Sequence, residues 1–545
     1  MTILSRLISR LLKLPPAATH DVVVERNRQV PMRDGTLLLA DHYVPRHTPR
    51  APAILVRSPY GRAGPFANLF ARTFAERGFQ VVIQSCRGTF GSGGTFNAFR
   101  NEQRDGLDTV AWMKQQPWFA GTFATFGPSY LGQVQWALAA GAGPMLKALS
   151  LQFTASEFRS LVYPNESFGL DMALTWIELV AHQEERLWRR LRLRRRRAQA
   201  LRAAAMHLPL READVLVAGK PVPFYRDWLE HNAPGDPWWQ PVDFSGTAAE
   251  IQAPVLLIGG WYDIFLPYLL ADYARLRQAG NHPFLTIGPW THSSAALFPV
   301  VLQESLVWFQ AHLLVAAGRL RAAPVRVFVM GRNRWTDYPD WPPPGYRPVR
   351  WFLQPAQGLA TEPPPAAGPN RYRYDPAHPT PAVGGSSLSR NSGAKDHRAL
   401  EARGDVLVYT GAVLAHDVEV VGAVQAELYF TSSLAHTDVF VRLCDVDRNG
   451  RSINISDGLI RLEPGRAEIG AGGVWRVPVE LWATAHCFKH GHRIRVQVAG
   501  GAHPRYARNP GSGEPLATAT TLVAADHAVY HDPEHPSAIL LPVKA

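Results

Sequence analysis

The chain has 545 residues, 46% of them hydrophobic and 19% charged, which allows large buried cores and excludes wholesale disorder. Its 57 basic residues outnumber 45 acidic ones for a net charge of +12, but much of the excess sits in one segment, so charge alone does not make a nucleic-acid binder. Three widely spaced cysteines (Cys86, Cys444, Cys487) argue against a disulfide framework and predict a reducing compartment, the cytoplasm.

Residues 4–14 (LSRLISRLLKL) alternate apolar and basic side chains and predict an amphipathic tail helix. Packing on the protein's own body is the first expectation, and contact with a lipid surface the second. No run of about 18 apolar residues occurs, so no membrane-spanning helix is predicted. Between 20 and 150, short apolar runs alternate with turns and helical patterns. Arg33, Asp34 and Gly35 read as a hairpin turn, and 53–56 and 81–83 read as buried parallel strands. Residues 151–245 turn helical and irregular, and 186–202 (RLWRRLRLRRRRAQALR) supply much of the positive charge. That stretch predicts a solvated helix face, with an anionic partner as the alternative. Strand-like runs return at 255–258 and 284–287, followed by a predicted helix over 299–317. From 323 onward, β-branched and aromatic alternation predicts a β-sandwich or jelly roll, crossed by a Pro-, Gly- and Ser-rich loop over 354–404.

The predicted fold is α/β: an α/β domain in two parts (20–150 and 246–322), a helical cap inserted at 151–245, a β-sandwich (jelly-roll) domain over 323–545, and the tail 1–19.

Three polar residues stand just beyond strand ends. The run 123–126 leads into 127–132 (GPSYLG) and then a helical stretch, so Ser129 lies on a strand–turn–helix corner. A nucleophile elbow needs this order, because a sharp turn lifts the hydroxyl clear of the sheet. Gly127 supplies a small neighbour, whereas Leu131 stands where the second glycine is usual and Gly132 comes one place later. A serine needs a base, and the base needs a carboxylate to orient it. Asp263 follows 255–258 and His292 follows 284–287. In an open α/β sheet the carboxyl ends of strands gather on one edge. The order Ser, Asp, His is the one α/β-hydrolases use.

These segments, GPSYLG, 260–265 (GWYDIF) and 288–292 (GPWTH), resemble the cocaine esterase and X-prolyl dipeptidyl-peptidase family of serine hydrolases. So do 57–62 (RSPYGR), 84–96 (QSCRGTFGSGGTF), 105–112 (DGLDTVAW), 327–335 (VFVMGRNRW) and 405–409 (DVLVY). The resemblance runs from about residue 25 to the end. It implies Ser129 as nucleophile, His292 as general base and acid, and Asp263 as its orienter. It also implies an oxyanion hole made of the Tyr130 backbone N–H and the Tyr60 hydroxyl. Where the family commonly has an aspartate after Gln84, this chain has Ser85. The cap matches the family weakly. Phe153, Phe168, Trp176, Trp261 and Phe265 are candidate pocket residues, with Phe158 and Tyr163 beside them, and core packing is the other reading of this spacing. An X-Pro dipeptidyl-peptidase or α-amino ester hydrolase must hold a free amine, which calls for a carboxylate. Glu157, Glu166, Asp171 and Glu178 are the candidates.

The expected activity is hydrolysis of a small-molecule ester or amide, without metal or cofactor. The other readings are a free-amine peptidase or ester hydrolase, and a carbohydrate-binding or assembly protein with a vestigial hydrolase domain. A homo-oligomer is compatible with the β-rich tail. The glycine-rich 88–94 lacks a Gly-Lys-Ser/Thr continuation for phosphate. Residues 445–450 begin like a calcium loop but reach Ser456 at the twelfth place, so they read as a hairpin turn. His486, Cys487, His490 and His492 fit strand alternation better than a zinc site.

Overall fold

A computed structural model describes residues 2–314, 320–466 and 468–545. Helix α1 (Thr2–Leu11) opens the chain. The segment after it is tied to the body: Arg77 donates to Ser9 Oγ and to the Pro15 carbonyl, and Gln303 donates to the Leu12 carbonyl. Leu7 and Leu11 stay exposed.

Strands β1 (Val22–Pro31) and β2 (Leu37–Pro45) form the expected hairpin, with Gly35 at φ +81° in the turn. They continue into β3 (Ala51–Ser58), β4 (Gln80–Ser85), β5 (Phe119–Pro128), β6 (Leu146–Gln152), β7 (Val255–Tyr262) and β8 (Phe284–Thr291). From β4 to β8 neighbouring strands pair in parallel in the order β4-β3-β5-β6-β7-β8. Such strands are covered on both faces and read as unbroken apolar runs. Alternate residues of β3 divide between two cores, Ala53 and Leu55 facing one and Ile54 and Val56 the other. In β7, Val255 and Leu257 divide from Leu256 and Ile258 in the same way.

The helices are α2 (Pro65–Ala75), α3 (Glu102–Lys114), α4 (Tyr130–Ala139), the cap helices α5 (Arg159–Val162), α6 (Leu170–His182), α7 (Leu187–Met206), α8 (Ala213–Ala218) and α9 (Pro223–Glu230), then α10 (Leu266–Gln278) and α11 (Leu297–Leu313). Helices α2 and α11 meet on one face of the sheet through Phe74 and Phe309, whose rings lie 5.5 Å apart. Met113 of α3, Trp136 of α4 and Leu269 of α10 belong to the core on the other face. The expected helical end at Ala317 falls outside the described residues.

One boundary moves. Val325–Val329 (β9) pairs in parallel with β8, and Arg334–Tyr338 (β10) pairs antiparallel with β9, so the first sheet runs on to Tyr338 rather than ending at 322. An alternating strand looks the same in sequence whichever sheet it joins. Among the described residues, twelve further strands between Tyr346 and Lys544 build the C-terminal β-rich domain. Its longest strand, Val418–Ser432, pairs along one edge with Trp475–Phe488 and along the other with two later strands. The stretch 354–404 is irregular but includes short strands at Gly358–Ala360 and Asn370–Tyr374. Residues 447–450 form a turn in which Asp447 Oδ1 accepts from the Asn449 and Arg451 amides. His486 and His492 share the Asp445 carboxylate at 2.9 Å each.

Candidate active site

Ser129 sits between β5 and α4 at φ 58°, ψ −124°, a left-handed conformation that a non-glycine residue adopts only under constraint. The constraint is close packing. A Cβ on Gly127 would fall 2.3 Å from Leu131 Cβ, and one on Gly132 2.5 Å from Thr154 Cβ. Gly132 therefore lets α4 approach the loop after β6, and Leu131 at the usual glycine position is accommodated by Gly127. The Ser129 amide donates to the Gln152 carbonyl at 2.9 Å, which fixes the corner to β6.

Asp263 follows β7 and His292 follows β8, so parallel pairing of the two strands sets them side by side. His292 Nδ1 lies 2.7 Å from Asp263 Oδ1, and His292 Nε2 lies 3.2 Å from Ser129 Oγ. Asp263 is fully buried, and its Oδ2 meets no donor among the described residues. Its charge therefore acts on the imidazole, favouring the tautomer with the proton on Nδ1 and leaving Nε2 free to accept. Phe265 and Phe153 flank the imidazole, with ring centroids 5.5 and 6.0 Å away.

Two donors lie beside the serine. Tyr130 is the first residue of α4, so its amide has no partner within the helix and carries the positive end of the helix dipole. The Tyr60 hydroxyl interacts with Ser129, and burial pushes its pKa up to about 12, so it keeps its proton. Trp176 Nε1 donates to Tyr60 Oη at 2.9 Å. With that lone pair engaged, the Tyr60 proton is directed away from Trp176 and toward the serine.

Beneath the site lies a buried network. Tyr130 Oη donates to Glu102 Oε1 at 2.7 Å and accepts from the Phe99 amide at 2.9 Å. Arg57 lies 2.9 Å from Glu102 Oε2 and donates to Gln84 Oε1 at 2.8 Å. Burial and the neighbouring Glu102 carboxylate hold the Tyr130 phenol well above its ordinary range. Ser85 accepts from Arg62 at 3.1 Å, and Arg62 takes Asp41 as its carboxylate partner at 3.3 Å.

Ser129 and His292 open onto a cavity of about 250 Å³, lined chiefly by Phe99, Phe158, Met172, Trp176, Phe265 and Leu388. Of the pocket candidates, Trp176 and Phe265 line it. Phe153 does not: it is buried behind the imidazole against Trp290. Phe168 is packed in the cap between Tyr163 and Tyr225. Trp261 does not line it either: it donates to the carbonyl of Phe328 in β9 at 2.7 Å and packs on Trp341. Tyr163 is likewise spent inside the cap, its hydroxyl donating to the Trp228 carbonyl. Phe99, Met172 and Leu388 come from three distant segments and carry no local signal that would mark them in advance.

Only one of the four acidic candidates lines the cavity. Glu157 caps the Ser160 amide, Glu166 pairs with Arg159, and Asp171 accepts from Ser387. Glu178 faces the cavity and lies 3.6 Å from Arg197.

Comparison with known proteins places this geometry among relatives. Residues 34–294 match the model for X-Pro dipeptidyl-peptidase (S15 family), and 319–540 match the model for the X-Pro dipeptidyl-peptidase C-terminal non-catalytic domain. A cocaine esterase from Rhodococcus is 32% identical over 95% of this chain and 98% of its own. Two solved structures share the fold at 22% identity over 97% of this chain and 98% of theirs. They are an aminopeptidase from a marine sediment Thaumarchaeota archaeon, with a TM-score of 0.80, and an α-amino acid ester hydrolase, with a TM-score of 0.76.

Proposed function

The chain belongs to the cocaine esterase and X-Pro dipeptidyl-peptidase family of serine hydrolases, and from that premise we propose that it cleaves carboxylic esters through an acyl-enzyme on Ser129. The observation that carries the reading is His292 within hydrogen-bond reach of Ser129 on one side and Asp263 on the other, at the floor of a largely apolar cavity.

Ser129 Oγ attacks the ester carbonyl while His292 Nε2 takes its proton. The imidazolium is stabilised by Asp263, whose burial in a low-dielectric site strengthens the attraction. Negative charge on the tetrahedral oxygen is met by the Tyr130 amide and the Tyr60 hydroxyl. Donors of this kind contribute about 2.7–4 kcal/mol each. His292 then protonates the departing alkoxide, and the same imidazole activates water to release the acid. Phe99, Phe158 and Trp176 suit an aromatic or branched apolar acyl group.

A second reading, hydrolysis of substrates with a free α-amine, rests on Glu178 alone. The Arg197 guanidinium already compensates that carboxylate, which favours blocked or amine-free acyl groups. A panel of aryl and alkyl p-nitrophenyl esters beside alanyl-proline p-nitroanilide and free-amine aminoacyl esters separates the two. Faster turnover of amine-free esters is expected, and preference for the free-amine compounds would overturn the assignment.

A further inference from the structure

The cap carries a surface that ester hydrolysis does not use. Over the first six residues of α7, from Leu187 to Arg192, every side chain is exposed. Leu187, Trp188 and Leu191 are 69%, 59% and 62% exposed. At 100° per residue these three lie within one 100° arc. A solvated helix presents polar groups there, so three large apolar side chains on one open face mark a contact surface.

Cations surround this apolar face. Arg197 is held by Glu185 at 2.6 Å and by Glu178, and Arg189 lies 3.7 Å from Glu185. Arg190, Arg192, Arg194, Arg195 and Arg202, with Arg390 from the C-terminal domain, have no carboxylate partner among the described residues. They line a groove of about 1130 Å³ together with Leu187 and Leu191. Six uncompensated guanidinium groups call for an anionic partner. A second copy of the chain, related by a two-fold axis, would bring like charges together. A nucleic-acid backbone would answer the arginines but leave Leu187 and Leu191 in water. Exposed Trp and Leu among arginines match a surface that offers negative charge above an apolar layer.

We propose that the N-terminal half of α7 docks the enzyme on an anionic lipid surface, with Trp188, Leu187 and Leu191 entering the headgroup boundary and the groove arginines meeting lipid phosphates. Glu178 of α6 lines both this groove and the cavity above Ser129, so docking sets the cavity beside the lipid layer.

The test is flotation of the full chain with vesicles of phosphatidylcholine containing about a third phosphatidylglycerol, against phosphatidylcholine alone, at low and high salt. The protein is expected to float with the anionic vesicles only, and to be released by salt. Arg190→Gln/Arg194→Gln/Arg195→Gln is expected to weaken binding roughly a hundredfold. Leu187→Ser/Trp188→Ser/Leu191→Ser is expected to abolish binding, and both variants retain turnover of a soluble ester. Equal flotation of wild type and both variants overturns the proposal. So does loss of flotation on Leu7→Ser/Leu11→Ser in α1 with the α7 variants still binding, because the tail helix is then the anchor. Tighter binding to a single-stranded oligonucleotide than to the vesicles, or a dimer that dissociates in the α7 variants, assigns the surface to another partner and also overturns it.

Discussion

Replacing Tyr60 by phenylalanine removes one hydroxyl and leaves the ring that borders the cavity. If that hydroxyl donates to the tetrahedral oxygen, its loss costs about 2.7–4 kcal/mol, or a fall of about a hundred- to a thousandfold in kcat. The Tyr130 amide remains, so activity does not vanish. Trp176→Phe is the companion change: it keeps an aromatic ring in the cavity and deletes the 2.9 Å hydrogen bond to Tyr60 Oη. One neutral hydrogen bond contributes about 0.5–1.5 kcal/mol, so kcat falls by about two- to twelvefold. Because Trp176 acts through Tyr60, its substitution should cost almost nothing in kcat once Tyr60 is phenylalanine. The assay is steady-state hydrolysis of a small p-nitrophenyl ester by wild type, both single variants and the double variant, with thermal melts as a folding control. Equal kcat losses from Trp176→Phe in both backgrounds would refute the positioning argument. Tyr60→Phe within twofold of wild type would remove Tyr60 from the oxyanion hole.

Gly132→Ala drives a methyl into Thr154 and should cost about 1–3 kcal/mol of stability with loss of turnover, and Thr154→Gly in the same chain should restore part of both. Arg57→Met strands Glu102 as an uncompensated buried carboxylate, and urea unfolding at pH 7 should show a loss of about 3–5 kcal/mol. His397 is pushed down to about 3, by burial first and then by Arg442, so it is neutral in the fold while the unfolded chain takes a proton near pH 6.5. Its contribution is present above about pH 6.5 and is lost as pH falls toward 3, by about 1.4 kcal/mol per unit. His397→Gln should flatten the acid side of a Tm-against-pH curve. His503 and His527, both pushed down to about 4, leave a residual slope. An unchanged acid side would refute the assignment.

The approach of Ser129, Asp263 and His292 was legible because each follows a short, mainly apolar strand-like run, and parallel strands bring their ends to one edge. The pocket was less so. Aromatic content marks residues that will be buried but not which surface they bury against, and Phe168 and Trp261 are taken up by the cap interior and by the β9 edge of the first sheet. Phe99, Met172 and Leu388 converge from three separate segments of the chain, and no local pattern encodes that. The Arg57–Glu102–Tyr130 network hid for the same reason: a buried ion pair looks like two surface charges until the chain is folded. Strands β9 and β10 went to the first sheet because period-two alternation identifies a strand and not its neighbour.

Ester cleavage by this site requires that Ser129 become acylated. The most direct measurement is mass spectrometry of peptides after a fluorophosphonate probe is added to wild type, Ser129→Ala and His292→Ala. One label per chain is expected, on Ser129, blocked by prior incubation with an ester substrate and lost in both variants with their melting temperatures kept. A label on any other residue, or ester turnover undiminished in Ser129→Ala, would contradict it.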